Sequence, residues 1–512
     1  MLSLLLAKVS TPRPARTLRV VIVGAGFSGM AMALAMKRDG HADEIVIVDA
    51  AEDLGGTWRD NTYPGCACDV PSPVYSLRGQ PNDWPRFFSE QPDILDYMHR
   101  VADQHDLRRH MRFGTEIVRQ EWDEARACWL LTTAAGETME ADVVVNGVGP
   151  LTRAVIPDIP GRDDFAGPAF HSAHWRDDVD LEGARVGIIG TGASAVQIVP
   201  SIVDEVGAMT VFQRTPGWVL PKLDREFSGL ERLLLRRVPG AHRVLREVTN
   251  LILEHGVWRM LERNPRVAAR LRSAGTWNIH RAVEDPELRE KLTPTIEPGC
   301  KRLLLSNTYY PALARDHVTV ATEGIERITP SGVRLVDGTE VALDVIIWGT
   351  GFDAHHFWAP MEVIGRDGQD LHDAWSSHAA AYNSLAAPGF PNNFFLLGPN
   401  SGTGHNSVVL MAEAQADYVA QALEHLRAGR ADWLEPTQQA ADAYAAEMAE
   451  RHADLVWASG CGSWYLNEDG VNDTLYPGRV GHYQRRVSTF DPESWSFGRR
   501  RAARADAEPA IA

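Results

Sequence analysis

Cysteine is scarce in this sequence: Cys66, Cys68, Cys128, Cys300 and Cys461 are its only five, spread over 512 positions. So sparse and odd a set does not build the disulfide framework of a small secreted protein. The Cys-x-Cys pair at 66 and 68 has no second Cys or His pair at zinc spacing, so no metal site is expected. Positive charge is also short. Lys and Arg number 51 against 68 Asp and Glu, a net charge of −17, and non-specific binding to nucleic acid needs cations to neutralise phosphates, so no nucleic-acid partner is expected. Long apolar runs are missing as well. No stretch approaches the roughly 20 residues that cross a bilayer, and the Leu run after Met1 lacks the preceding positive segment of a signal peptide. The chain therefore reads as cytoplasmic, and contact with a membrane is not expected. The remaining composition, 44% apolar and 23% charged, is that of globular domains, and the length suits about two to four of them.

Leu18 to Val23 (LRVVIV) is a β-branched run that predicts a buried strand, followed at once by GAGFSG and a helical stretch over Met30 to Arg38. In this strand, turn and helix, Gly24 makes the tight turn and Gly26 lets backbone amides, with Ser28, approach a pyrophosphate. Gly29 lets the helix pack on the strand, with its N-terminus toward the anion. A second strand, Glu44 to Val48, ends at Asp49, 20 positions after Gly29, where a carboxylate accepts hydrogen bonds from a ribose diol. These features predict one dinucleotide site.

The pattern recurs. Arg185 to Ile189 predicts another strand, followed by GTGASA, in which Gly190, Thr191, Gly192, Ala193, Ser194 and Ala195 repeat the fingerprint with Ala as the small third residue. The next strand, Met209 to Gln213, ends not in an acid but in Arg214, 19 positions after Ala195. A carboxylate there would repel a 2′-phosphate, whereas an arginine holds it, so this site should take NADP(H). A second dinucleotide beside the first implies hydride transfer from nicotinamide to a flavin. No Cys-x-x-x-x-Cys pair follows the first motif to serve as a disulfide acceptor, which leaves dioxygen as the leading oxidant.

Between the two motifs lies FAGPAFHSAHW, with Phe165, Gly167, His171 and Trp175 at the spacing F-x-G-x-x-x-H-x-x-x-W. It resembles the fingerprint of the Baeyer–Villiger monooxygenases. That family commonly has Pro or Asp after the Trp, where Arg176 stands here. The resemblance spans about residues 18 to 490 and includes GGTWRDNTYPGCACDVPSPVYS (Gly55 to Ser76), GCKRLLLSNTYYPAL (Gly299 to Leu313), IIWGTGFDA (Ile346 to Ala354) and FFLLGPNSGTGHNS (Phe394 to Ser407). Within the family, NTYPGCACDVPS looks most similar to the 4-hydroxyacetophenone monooxygenase branch.

The resemblance implies FAD and NADP(H) as cofactors and insertion of one oxygen atom from O2 beside a ketone carbonyl, through a C4a-peroxyflavin, to give an ester or lactone. It implies that Thr57, Trp58, Asp69 and Tyr75 line the FAD, and that Lys301 and Thr215 join Arg214 at the 2′-phosphate. Arg302 and Asp69 are then the catalytic pair: a fixed cation stabilises an anionic peroxide and the negative adduct that follows, and the carboxylate holds that cation in place. His171 takes a gating role in the linker, and His405 and Asn406 come near the flavin edge. The alternatives are an N- or S-oxygenase, which usually lacks the Trp at 175, and a non-catalytic redox sensor.

The expected fold is α/β, with two Rossmann-like dinucleotide-binding domains and a helical insertion. The FAD domain is expected in two parts, 1–155 and 321–512, around an NADP domain over 156–320. The insertion, about 222–300, is rich in arginine: from Lys222 to Arg272 there are 12 Lys and Arg against 6 Asp and Glu. Leu230, Leu233, Leu234 and Val238 recur there at helical spacing, which predicts a stripe packed on the core.

Overall fold

The computed structural model describes residues 16–40, 43–460 and 462–500. The N-terminal Leu run, Cys461 and the Ala/Arg-rich end after residue 500 lie outside the described residues.

Among the described residues the first unit is formed by β1 (Arg19–Val23), α1 (Phe27–Asp39) and β2 (Glu44–Val48), and adds β3 (Met111–Arg112) and β4 (Val143–Asn146). It then enters a second unit of β5 (Ala169–His171), β6 (Arg185–Ile189), α2 (Ala193–Ile202) and β7 (Ala208–Phe212). A helical insertion follows, with α3 (Gly229–Arg237) and α4 (Ala241–Ile252), before β8 (Val318–Ala321) and β9 (Val345–Trp348). The return to the first unit supplies β10 (Asn393–Phe395) and the long helix α5 (Val408–Arg427).

Each unit is a five-stranded sheet, ordered β10-β4-β1-β2-β3 in the first and β8-β7-β6-β9-β5 in the second. All pairings in both are parallel. Helices cover such sheets on both faces, which is why the strands are unbroken Val/Ile runs: β4 is buried at every position and β1 at all but Arg19. The α/β class and the paired dinucleotide architecture expected from the motifs are those observed.

Two expectations need correction. The second unit does not end near residue 320. β9 lies between β6 and β5, with Val345 opposite Val186 and Trp348 opposite His171, because its VIIW run is buried on both sides and completes the second sheet. The two chain crossings between the units therefore run side by side. Val155 N–H donates to the Gly351 carbonyl and Asp353 N–H to the Arg153 carbonyl, both at 2.9 Å, and Arg153 pairs with Asp353.

The leucine stripe of the insertion does not pack on the core either. Leu230, Leu233, Leu234 and Val238 are 66, 47, 50 and 48% exposed. Polar anchors seat the hairpin instead. Arg232 Nε donates to Asp83 Oδ1 at 2.9 Å, and Arg246 Nη2 donates to Glu413 Oε2 at 2.8 Å and to the Ser76 carbonyl at 3.0 Å. A capping box begins α3: Ser228 N–H donates to the Glu231 carboxylate at 2.8 Å, and Glu231 N–H donates to the Ser228 hydroxyl at 3.3 Å.

Candidate active site

Both glycine turns have the shape their motifs require. Gly24 has φ +104° and Gly190 φ +113°, and a Cβ on them would come within 2.5 Å of the Gly147 carbonyl oxygen and 2.3 Å of that of Gly349. Gly26 is the N-cap of α1 and Gly192 that of α2, so neither helix has a side-chain cap, and neither has an acid in its first turn. The first-turn amides are left for an anion. Ser28 is buried in α1, Ala193 and Ser194 open α2, and Ala195 is buried beneath them.

At the end of β2, Asp49 is already held. Its Oδ2 accepts from Ala25 N–H at 2.8 Å, and its Oδ1 from Ala51 N–H and Arg59 Nη1, both at 3.0 Å. A carboxylate has about four acceptor positions, so capacity for a ribose hydroxyl remains. Thr57 and Trp58 open the short helix Thr57–Asp60 beside this turn. Trp58 Nε1 donates to Tyr75 Oη at 3.0 Å, and the Phe27 ring meets Tyr75 edge-on at 5.2 Å. The structure thus gathers Phe27, Trp58 and Tyr75 at one aromatic wall of the first unit, with Thr57 preceding Trp58 at the start of the short helix.

The second strand end is built differently. Arg214 is exposed past β7. The Thr191 hydroxyl lies 3.5 Å from the Thr215 carbonyl oxygen, joining the glycine turn to this strand end. Lys301 stands close enough to Arg214 that, after burial, the arginine's charge is the further cause lowering its pKa. Two cations converging beside an uncapped helix form a donor set that fits a 2′-phosphate, and the first site's apolar wall and carboxylate fit a flavin nucleotide.

Between the units, Arg302 Nε lies 3.5 Å from Asp69 Oδ2, a loose ion pair, with Arg302 40% exposed to the cleft and Asp69 13%. Desolvation by the cleft walls opposes the arginine's charge. The Asp69 carboxylate is the first of the neighbours that outweigh it and raise the guanidinium pKa above its ordinary value. Burial pushes the Cys66 and Cys68 thiols up to about 12, so they form a neutral lining. Cys66, Cys68 and Cys128 are free, while Cys300, next to Lys301, is disulfide-bonded.

His171 sits at the end of β5, beside the double crossing. Its Nδ1 accepts from Ala173 N–H at 3.1 Å, and its ring meets Phe352 at 5.5 Å. Burial lowers its pKa. Trp175 packs edge-on against Phe170 at 5.3 Å.

His405 and Asn406 turn toward the insertion. Glu254, buried in the π-turn Leu253–Val257, accepts from Asn406 Nδ2, Val480 N–H and Gly481 N–H and pairs with His405 Nε2, each at 3.0 Å. Burial works to raise its pKa, and these partners, His405 first, bring it down to about 2. Sequence reasoning missed Glu254, Tyr465 and Gln197. Gln197 on α2 accepts from Tyr63 Oη at 3.0 Å and donates to the Ala67 carbonyl at 3.0 Å, fastening the CACD segment to the second unit. Their partners are far away in sequence, so no local spacing reveals them.

Two uncapped glycine turns on parallel sheets, one ending in an acid and one in paired cations around a shared arginine, define a flavin-binding enzyme with two dinucleotide sites. The family model described as flavin-binding monooxygenase-like matches residues 17–264. A Baeyer–Villiger monooxygenase of Streptomyces coelicolor is 42% identical over 497 residues, 96% of this chain and 95% of that protein. One of Pseudomonas aeruginosa is 42% identical over 499 residues, 96% of this chain and 94% of its own length. Cyclohexanone monooxygenase from Rhodococcus sp. Phi1, solved with NADP+, superposes with a TM-score of 0.85 at 28% identity, covering 95% of this chain and 100% of that one. An oxidised steroid monooxygenase bound to NADP gives 0.84 at 29% identity, covering 94% and 99%. The chain belongs to the Baeyer–Villiger monooxygenase family.

Proposed function

We propose that this protein is an FAD- and NADPH-dependent monooxygenase that inserts one atom of dioxygen beside a ketone carbonyl, giving an ester or lactone. The carrying observation is Arg302, set by Asp69 in the cleft between two dinucleotide turns and facing a neutral wall of Tyr75, Tyr465 and buried thiols. When bound, FAD reduced by NADPH supplies the activated oxygen. The first-turn amides of α1 would hold its pyrophosphate and Asp49 its ribose. Arg214, Lys301 and Thr215 would hold the 2′-phosphate that distinguishes NADPH from NADH.

Arg302 keeps a positive charge where negative charge develops on the reacting oxygen and on the ketone oxygen. A cation already oriented by Asp69 needs no reorganisation at that moment, and a desolvated wall strengthens it. His171, at the root of the two crossings, governs how the units move relative to each other.

The test offers purified enzyme aryl, cyclic and long-chain ketones alongside a sulfide, and measures NADPH oxidation and products. Ester formation matched to NADPH consumption is expected. Sulfoxide from the sulfide with no ester from any ketone assigns the protein instead to heteroatom oxygenation.

A further inference from the structure

The hairpin of α3 and α4 carries an apolar face that no described residue of the molecule covers. On α4, Val244, Val248, Leu251 and Ile252 are 63, 50, 58 and 61% exposed. Their spacing puts them on one side of the helix, continuing the exposed leucines of α3 across the turn between the helices. The other side of α4 faces inward, where Thr249 is buried and Arg246 pairs with Glu413. Arg232 with Asp83, and Glu254 immediately after α4, fix the hairpin further. The apolar face is therefore held outward by a seated element. Contiguous exposed apolar surface of this kind marks an interaction site.

Charge says what covers it. The insertion is locally basic inside a chain of net charge −17. Its other arginines are ion-paired at several points, Arg225 with Glu231, Arg236 with Asp83 and Arg272 with Glu297. Arg237 and Arg243, which flank the turn between the helices, are exposed, and among the described residues neither has an ion-pair partner. Leucine and valine beside free arginine match the interfacial layer of an anionic lipid surface, where apolar side chains enter the acyl boundary and cations meet headgroup phosphates. A second copy of this chain fits poorly. A two-fold contact would bring this basic patch onto its own copy, like charge toward like.

We propose that the α3–α4 hairpin docks the protein on an anionic phospholipid surface. α4, about 18 Å long, lies in the plane of the interface. No helix among the described residues is long and apolar enough to cross a membrane. The sequence pattern places this stripe in the core, and its exposure in the structure reverses that expectation. The proposal is independent of the oxygenation reading, because its test reads binding to vesicles and needs no turnover.

The test sediments FAD-loaded protein with vesicles of phosphatidylcholine containing about a third phosphatidylglycerol, and with pure phosphatidylcholine. Binding to the anionic vesicles alone is expected, falling about tenfold or more when salt rises from about 0.05 to about 0.5 M. The double substitution Val248→Asp with Leu251→Asp should abolish binding and leave ketone-dependent NADPH oxidation unchanged. Arg237→Glu with Arg243→Glu should weaken it at least about tenfold and keeps the test open if the first variant fails to fold. No binding to anionic vesicles, equal binding to both kinds, or binding that survives both variants overturns the proposal. So does a dimer in solution that Val248→Asp with Leu251→Asp dissociates, which gives the face to a second copy.

Discussion

The two dinucleotide units share strand, glycine turn and helix, and differ at the end of the following strand. In the first, three donors already hold the Asp49 carboxylate, and the aromatic wall of Trp58, Tyr75 and Phe27 is packed. In the second, Arg214 is exposed and its companion Lys301 has that arginine as a neighbouring charge. A preorganised rim binds more tightly, because less freedom is lost on binding. On the function proposed above, the first unit would hold a resident FAD and the second a coenzyme that arrives, gives up hydride and leaves, and the contrast at the strand ends supports that division.

The largest expected effect falls where the units meet. Arg302→Ala should lower oxygen insertion about 100- to 1000-fold, the usual loss for one electrostatic stabiliser. Hydride transfer depends on nicotinamide placement, so reduction by NADPH should persist, with the electrons released as hydrogen peroxide. Stopped-flow absorbance together with ester yield separates the two steps. If ester forms at wild-type yield, the shared cation is not where the two halves cooperate.

Glu254 asks whether the second unit's insertion is fixed as firmly as the first unit's rim. Its pKa is brought from 4.5 to about 2 in the folded protein, which corresponds to about 3 kcal/mol of stability. Because the folded pKa is the lower one, this stability is present above about pH 4.5 and is lost as pH falls toward 2. Glu254→Gln should therefore be less stable than wild type at pH 7, and the gap in denaturant midpoint should close through that window. A gap that stays constant with pH denies the carboxylate this role.

At the open strand end, Arg214→Ala should raise the KM for NADPH about ten- to a hundredfold, with little change for NADH. Equal use of both coenzymes by the wild type breaks the contrast between the units outright. The smallest effect belongs to Asp69→Ala, about tenfold in ester formation, since its loose pair with Arg302 orients the cation and does not replace it. Peroxide release should rise in proportion as ester falls.

Much of this was legible in the sequence because it is local. The strands at Glu44–Val48 and Arg185–Ile189 stand where their β-branched runs place them, and Asp49 and Arg214 fall at the strand ends the spacing requires. Distant pairing was not legible. The VIIW run of β9 reads as a buried strand in either sheet, and only its register with Val186 shows which. Glu254 and His405 stand 151 positions apart. Helical spacing revealed the leucine stripe of α3 but not the direction it faces, because periodicity fixes which residues share a side and leaves open what that side meets.

The most direct measurement follows one oxygen atom. Enzyme reduced with one equivalent of NADPH without air is mixed with isotopically labelled dioxygen and a ketone, and the ester is weighed by mass spectrometry. The predicted ester carries one labelled atom, the other leaving as water. Unlabelled ester, or reoxidation with all the label in hydrogen peroxide and no ester from any ketone, would contradict the account.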